Sequence, residues 1–293
     1  MVSYGLPHKG SKNRLVKKIT ELFPEADNFY DLFAGGAAVS HYLLTTNKFK
    51  NIYINDIDEN TVQFLKNAFN GVYENRNEWI SKEEFDVLKY TDPFVASCWS
   101  FGNNRKSYMY SKLNEPYKRA AHYAIVFDGW EEMYELYSLE IVEILKQAVK
   151  DLNAIRERRL AFGSVAKKLK LKNIEEAEAL NRIERITNLS SLERVNNLNN
   201  LNGLNGIKFS CSDYREIKIK ENSVIYTDIP YKGTSGYGFA FDYEAFYDWG
   251  KNQTQPVFIS SYEMPSDFKI IAEFEFRSLM GPNKKVIERI FTI

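Results

Sequence analysis

Twice within its first 70 residues the chain runs from a short apolar segment through a turn into a helix-like stretch, and this repetition restricts the fold more than any other feature. Phe29-Tyr30-Asp31-Leu32-Phe33 reads as a strand, Ala34-Gly35-Gly36-Ala37-Ala38 as a tight small-residue turn, and Val39 to Thr45 as a helix. Asn51-Ile52-Tyr53-Ile54-Asn55-Asp56 is a second strand ending in an acid, followed by Ile57-Asp58 and a helix over Glu59 to Phe69. Strand–helix alternation of this kind builds a doubly wound parallel sheet. Ahead of it, a helix is expected over Lys12 to Phe23, with Leu15, Ile19, Leu22 and Phe23 on one face and Pro24 ending it.

The pattern stops at Gly71 and resumes at Gly206. Gly206 to Ser210 is a strand leading to Cys211-Ser212-Asp213-Tyr214, and Ser223 to Tyr226 is a buried strand. Phe241 to Trp249 is a helix and Pro256 to Tyr262 a further strand. Phe268 to Ser278 and Lys284 to Ile293 are two strands joined by Gly281-Pro282-Asn283, an antiparallel hairpin closing the sheet. The α/β domain is therefore split into residues 1–70 and 206–293, with residues 71–205 inserted.

The insert is mainly helical, most strongly over Tyr117 to Asp151, with a loop at Ser100-Phe101-Gly102-Asn103-Asn104-Arg105-Lys106. Residues 154–172 carry seven basic side chains against one acid, in a protein whose 39 basic and 39 acidic residues cancel over the whole chain. That local excess is either a solvated face or a phosphate-binding surface. Residues 183–207 place Ile183, Ile186, Leu189, Leu192, Val195, Leu198, Leu201, Leu204 and Ile207 at every third position, with asparagine spacers towards the end. An α-helix turns once in about 3.6 residues, so this period drifts around it. The segment reads as a frayed helix running into a tolerant linker, or as an asparagine-rich surface for base edges.

Several residues suit ligand chemistry. The Ala34-Gly35-Gly36 turn either serves packing or lets backbone amides approach a ligand. Asp56, closing the second strand, suits ribose hydroxyls. Lys12 is either solvated or a cation held for a carboxylate ligand. Thr227-Asp228-Ile229-Pro230-Tyr231 ends a strand at the sheet edge where ligands of open α/β sheets bind. There an acid and a turn carbonyl accept hydrogen bonds from an amine, and a tyrosine ring stacks on a flat base. The two cysteines, Cys98 and Cys211, match no zinc spacing, and no metal site is expected. No apolar run approaches the roughly 20 residues of a membrane span, and the N-terminus lacks the apolar core of a signal peptide. A cytoplasmic protein without membrane contact is expected.

Taken in order, these segments resemble the Dam-type DNA adenine-N6 methyltransferases, particularly their phage and prophage versions. His8-Lys9-Gly10-Ser11-Lys12 resembles the family's N-terminal lysine motif, and Asp31-Leu32-Phe33-Ala34-Gly35-Gly36 its glycine motif for S-adenosylmethionine. Asp56 stands where the family places its ribose-binding acid. Ser212-Asp213-Tyr214 is similar to the motif whose acid contacts the cofactor adenine. Asp228-Ile229-Pro230-Tyr231 matches the catalytic Asp-Pro-Pro-Tyr motif, apart from Ile229 in place of proline.

The resemblance implies a Rossmann-like methyltransferase sheet and an inserted target-recognition domain. It implies transfer of a methyl group from S-adenosylmethionine to the amine of a flipped adenine in double-stranded DNA. The implied catalytic residues are Asp228, Ile229, Pro230 and Tyr231. The cofactor would be held by His8, Lys12, Asp31, Phe33, Ala34, Gly35, Gly36, Asp56, Ile57, Ser212, Asp213 and Asp228. DNA contacts are expected from Asn103, Asn104 and Arg105 and from Arg158, Arg159, Lys167 and Lys168, in a monomer or weak dimer. Ile229 keeps the backbone carbonyl that the motif uses, so the geometry is expected to survive. A catalytically lapsed DNA-binding protein, an RNA adenine or cytosine-amine methyltransferase and a non-catalytic nucleotide-binding protein remain as alternatives.

Overall fold

A computed structural model describes residues 3–173, 175–199, 206–232, 241–277 and 285–293. Its strands are β1 (Asn28–Asp31), β2 (Asn51–Asn55), β3 (Ile207–Ser210), β4 (Ser223–Asp228), β5 (Val257–Ser261), β6 (Lys269–Arg277) and β7 (Lys285–Thr292). They form one seven-stranded sheet in the order β3-β2-β1-β4-β5-β7-β6. β3, β2, β1, β4 and β5 are mutually parallel, and β7 pairs antiparallel with both β5 and β6. Every residue of β1 and β5 is buried, as are the first five of β4, which is why these strands read as continuous apolar runs and not as alternating ones. Gly206 opens β3 at φ 101°, and a Cβ there would lie 2.3 Å from the Lys50 carbonyl, so only glycine permits this entry to the sheet.

The chain divides into two compact units, one of Met1–Val72 with Leu198–Ile293 and the other of Tyr73–Asn197. The mostly parallel sheet with its antiparallel C-terminal strands lies in the first. The turn at Gly281-Pro282-Asn283 and the glycine-rich stretch after Lys232 lie outside the described residues.

Three expectations need correction. The first helix covers only Val16–Thr20. Upstream, the Asn13 side chain accepts from the Tyr4 amide at 2.6 Å and Leu15 donates to the Lys12 carbonyl at 2.8 Å, so this stretch forms turns and Lys12 precedes the helix. The expected helix over Tyr117–Asp151 is three helices, Glu115–Phe127, Glu131–Leu136 and Leu139–Val149. Asp128, in the left-handed region at φ 56°, ends the first, and extended backbone at Tyr137 and Ser138 ends the second.

From Ile183 to Leu198 the three-residue period is core and not linker. Helices Ala177–Ile183 and Thr187–Asn199 are separated by a break that resets the helical phase. Ile183, Ile186, Leu189, Leu192, Val195 and Leu198 are all buried. So is Asn188, which accepts from the Tyr110 hydroxyl at 2.8 Å and lies 2.8 Å from His122 Nδ1. Leu201 and Leu204 lie outside the described residues.

The basic stretch becomes the helix Ile155–Lys172, and two of its arginines are used internally. Arg158 donates to the carbonyls of Ala124 and Ile125 at 2.8 and 2.6 Å, caps the end of that helix through Asp128, and reaches the Val149 and Leu152 carbonyls. One guanidinium thereby satisfies the ends of two helices. Arg159 pairs with Glu193 at 2.5 Å. Truncating Arg158 to alanine leaves these carbonyls without their donor, and unfolding should show a loss of about 1.5–3 kcal/mol. A denaturation midpoint unchanged from the parent would contradict this role.

Candidate active site

The order β3-β2-β1-β4-β5 places the topological reversal between β1 and β4, whose C-terminal ends are neighbours. Ligands of such sheets bind at that edge, outside a reversal point. Asp31 closes β1, Asp56 follows β2 and Asp228 closes β4, so three acids stand along one sheet edge.

Asparagine 55, which sequence reasoning did not single out, organises the loops above these strands. It is buried at 1% exposure. Its amide donates to the Leu32 and Ser212 carbonyls at 3.1 and 3.0 Å. Its oxygen accepts from Ser210 Oγ at 2.7 Å and from the Ser212 amide at 3.2 Å. One side chain with its polar atoms paired thus fixes the glycine turn after β1 to the Ser212-Asp213 turn after β3. Asp213 caps the short helix Tyr214–Glu216 and is held by Arg215, whose guanidinium keeps its carboxyl below the usual range. Phe33 packs against Tyr214, Phe241 and Phe246.

The glycine turn has a second explanation besides ligand approach. The Leu6 amide donates to the Gly36 carbonyl at 2.7 Å, and a Cβ on Gly36 would lie 2.6 Å from the Leu6 carbonyl oxygen. The N-terminal segment crosses directly over the turn, with the His8 ring beside Gly35. The Gly35 amide donates to Asp56 Oδ2 at 2.8 Å, and Asp56 Oδ1 accepts from the Asp58 amide at 3.0 Å. Ile57 beside it is 47% exposed.

Crossing the turn carries the N-terminal segment on to Lys12, which reaches Asp228. Its Nζ lies 2.7 Å from both carboxylate oxygens and 3.7 Å from Glu288 Oε1. Lys12 and Glu288 are nearly buried, while the Asp228 side chain keeps 22% exposure. Burial pushes the Asp228 carboxyl up, and Lys12 pulls it back towards ionisation. The Tyr231 hydroxyl donates to Asp228 Oδ1 at 3.2 Å and also contacts Glu288 Oε1. Its half-buried ring has Tyr262 at 4.3 Å between centroids and Lys12 Nζ at 5.0 Å. Glu288, on β7, is a second residue that sequence reasoning missed.

Ile229, the departure from the resembled motif, is 1% exposed and packs in the cluster containing Ile225, Phe246 and Ile259. Its side chain belongs to the core. Among the described residues no hydrogen bond is made to its carbonyl, whereas the Pro230 carbonyl accepts from the Tyr243 hydroxyl at 3.0 Å. The lower edge of the site therefore offers one acid and one adjoining carbonyl as acceptors.

A sulfonium cofactor with a charged amino group fits this edge on one specific observation. Asp31 is 2% exposed; its Oδ2 accepts from Ser40 Oγ at 2.6 Å, but its Oδ1 is buried without a partner among the described residues. A buried acceptor of this kind calls for a donor. Burial pushes the Asp31 carboxyl up to about 7, with Asp228 and Asp56 adding to the rise and the Ser40 hydrogen bond opposing it. A cation would relieve all three acids.

The raised Asp31 value has a measurable consequence without any ligand. Relative to an unfolded carboxyl near 3.8, the folded protein holds its proton more tightly, so stability is lost as pH rises from about 4 to about 7. Asp31→Asn lacks this titration. Its melting temperature relative to the parent should climb across that window and level off above it, whatever the offset between the two proteins. A difference that stays flat from pH 4 to 8 would contradict the assignment.

No curated protein matches the chain. Among solved structures it resembles the rRNA methyltransferase aviRa from Streptomyces viridochromogenes, with 9% identity and a TM-score of 0.35 over 94% of this chain and 84% of that one, a likeness too loose to carry an argument. The family of D12 class N6 adenine-specific DNA methyltransferases matches residues 8–269, a span that takes in the Lys12 segment, the glycine turn, Asp56, Asp213 and Asp228 to Tyr231. The chain belongs to the D12 class of N6 adenine-specific DNA methyltransferases.

Proposed function

We propose that methyl transfer takes place at Asp228 and the Ile229 carbonyl, with S-adenosylmethionine held along the edge formed by Asp31, the glycine turn and Asp56. The observation that carries this reading is the pair of neighbouring acceptors at the end of β4, one paired with Lys12 at 2.7 Å and the other without a donor among the described residues. An adenine amine has two hydrogens, and its lone pair is delocalised into the ring. Accepting both hydrogens draws the nitrogen towards tetrahedral geometry and frees the lone pair for attack. Tyr231 supplies a flat surface for the base, which must leave the duplex stack to reach this site.

S-adenosylmethionine, when bound, supplies a methyl group on a sulfonium that departs as a neutral thioether. As the new nitrogen–carbon bond forms, the amine loses one proton, and the Asp228 carboxylate is placed to accept it. Burial pushes this carboxyl up, and Lys12 pulls it back towards the ionised form that the step needs. Asp31 and Asp56 supply negative potential for the cationic cofactor, and Asp213 together with Ile57 flanks the adenine side. Alignment of the reactants provides the remainder of the rate.

The test is transfer of labelled methyl to double-stranded DNA by the parent and by Asp228→Asn, which keeps a partner for Lys12 but loses the charge. The parent should transfer label and the variant should lose roughly 100-fold or more, with cofactor affinity by calorimetry little changed. A variant as active as the parent would remove Asp228 from the mechanism.

The unit Tyr73–Asn197 is proposed to recognise the target. On its helix Ile155–Lys172, Lys167 and Lys168 are exposed, while Arg158 and Arg159 are used internally. Asn104 and Arg105 lie in a loop shaped by left-handed residues at Gly102, Asn103 and Arg105; Asn103 donates to the Ser97 carbonyl at 3.0 Å. Replacing Lys167 and Lys168 by glutamine should reduce the slope of log affinity against log salt by about 1–2. An unchanged slope would make them a solvated face.

A further inference from the structure

Glu288 is buried at 2% exposure, lies on β7 and belongs to none of the matched motifs, yet it touches the Tyr231 hydroxyl and lies 3.7 Å from Lys12. We propose that Glu288 is a positioning residue for methyl transfer, holding the Tyr231 hydroxyl so that this hydroxyl donates to Asp228. The inference rests on the reading of Asp228 and Tyr231 given above.

The Tyr231 oxygen contacts two carboxyl groups, Glu288 Oε1 and Asp228 Oδ1, and carries one hydrogen. If both acids were ionised, one of these contacts would set lone pair against lone pair. One acid therefore carries a proton. Lys12 decides which, because its ammonium lies 2.7 Å from Asp228 and 3.7 Å from Glu288. Asp228 keeps the charge. Glu288 keeps the proton, donates it to the tyrosine oxygen, and the tyrosine donates onwards to Asp228.

The charged and titratable groups facing Glu288 are Lys12 from the N-terminal segment, Asp228 and Tyr231 after β4, Tyr226 within β4 and Tyr262 after β5. Burial pushes its carboxyl up and Asp228 adds to the rise, while Lys12 and the Tyr231 hydroxyl oppose it. The consequence is mechanical as well as electrostatic. The ring that takes the base and the carboxylate that takes the amine are tied by one hydroxyl, and Glu288 sets the position of that hydroxyl.

Glutamine mimics a protonated glutamate; leucine has its bulk but no hydrogen bond. Glu288→Gln should therefore keep most of the parental turnover and an unmoved acid limb in its pH profile. Glu288→Leu should lower kcat by roughly 10- to 100-fold with the melting temperature and cofactor affinity retained. Tyr231→Phe removes the donor to Asp228, so Asp228 ionises less readily and the acid limb should move up by about 1 pH unit. Glu288→Leu should move it the same way, and the double variant should be no worse than Tyr231→Phe alone.

Two results overturn the proposal. In one, Glu288→Gln shifts the acid limb to lower pH, which shows that an anion was removed. In the other, Glu288→Leu turns over like the parent. A readout independent of activity separates this inference from the reading beneath it. In protein labelled with 13Cζ-tyrosine, the Tyr231 resonance, assigned through Tyr231→Phe, should move in Glu288→Leu and stay in Glu288→Gln even if no DNA is methylated. A resonance unmoved in Glu288→Leu removes Glu288 from contact with Tyr231.

Discussion

The ion pair between Lys12 and Asp228 is the interaction on which the site depends. Taking an ammonium and a carboxylate out of water is costly, and mutual attraction offsets that only when geometry is good and further hydrogen bonds complete the pair. Here the ammonium meets both oxygens at 2.7 Å, the Gly10 carbonyl accepts from it at 3.2 Å, and the Tyr231 hydroxyl donates to the carboxylate. The pair also closes the chain on itself, because its partners are 216 residues apart. To bring Lys12 to β4, the N-terminal segment crosses the turn after β1, and that passage leaves no room for a side chain at Gly36. One electrostatic contact thus ties together a loop path, a glycine and the acid at the end of β4.

Much of this was legible in the residues. Strand–turn–helix units ending in Asp31, Asp56 and Asp228 specify a parallel sheet, and these acids do stand along one of its edges. The strands buried on both faces are recognisable because they are apolar without alternation. Short-range features were harder. Asn13 and Asp128 redirect the backbone through local hydrogen bonds and a left-handed conformation, and neither disturbs the helical periodicity around it. The same holds for the three-residue period: as one helix it drifts, and only the break between Ile183 and Thr187 lets both parts bury their apolar residues.

Long-range polar contacts were not legible at all. Arg158 looks like any member of a basic run, but its guanidinium is drawn to the open carbonyls of two helices. Asn55 and Glu288 carry no motif, and their importance comes from burial among groups distant in sequence. Ile229 shows the opposite case. Its departure from proline stands out in the sequence, whereas in the structure it is a buried core side chain with no hydrogen bond to its backbone carbonyl among the described residues. Sequence distinguishes residue types that bear chemistry; the fold decides which of them still have that chemistry to offer.

The most direct test of the whole account is the identity of the methylated nucleoside. DNA incubated with the protein and labelled S-adenosylmethionine should be digested to nucleosides and resolved by mass spectrometry. Two acceptors placed for an exocyclic amine, in a chain of the adenine-specific class, require the label in N6-methyladenine. Label in 5-methylcytosine, where the new bond is to carbon, or label confined to RNA would contradict the mechanism proposed for Asp228 and Ile229.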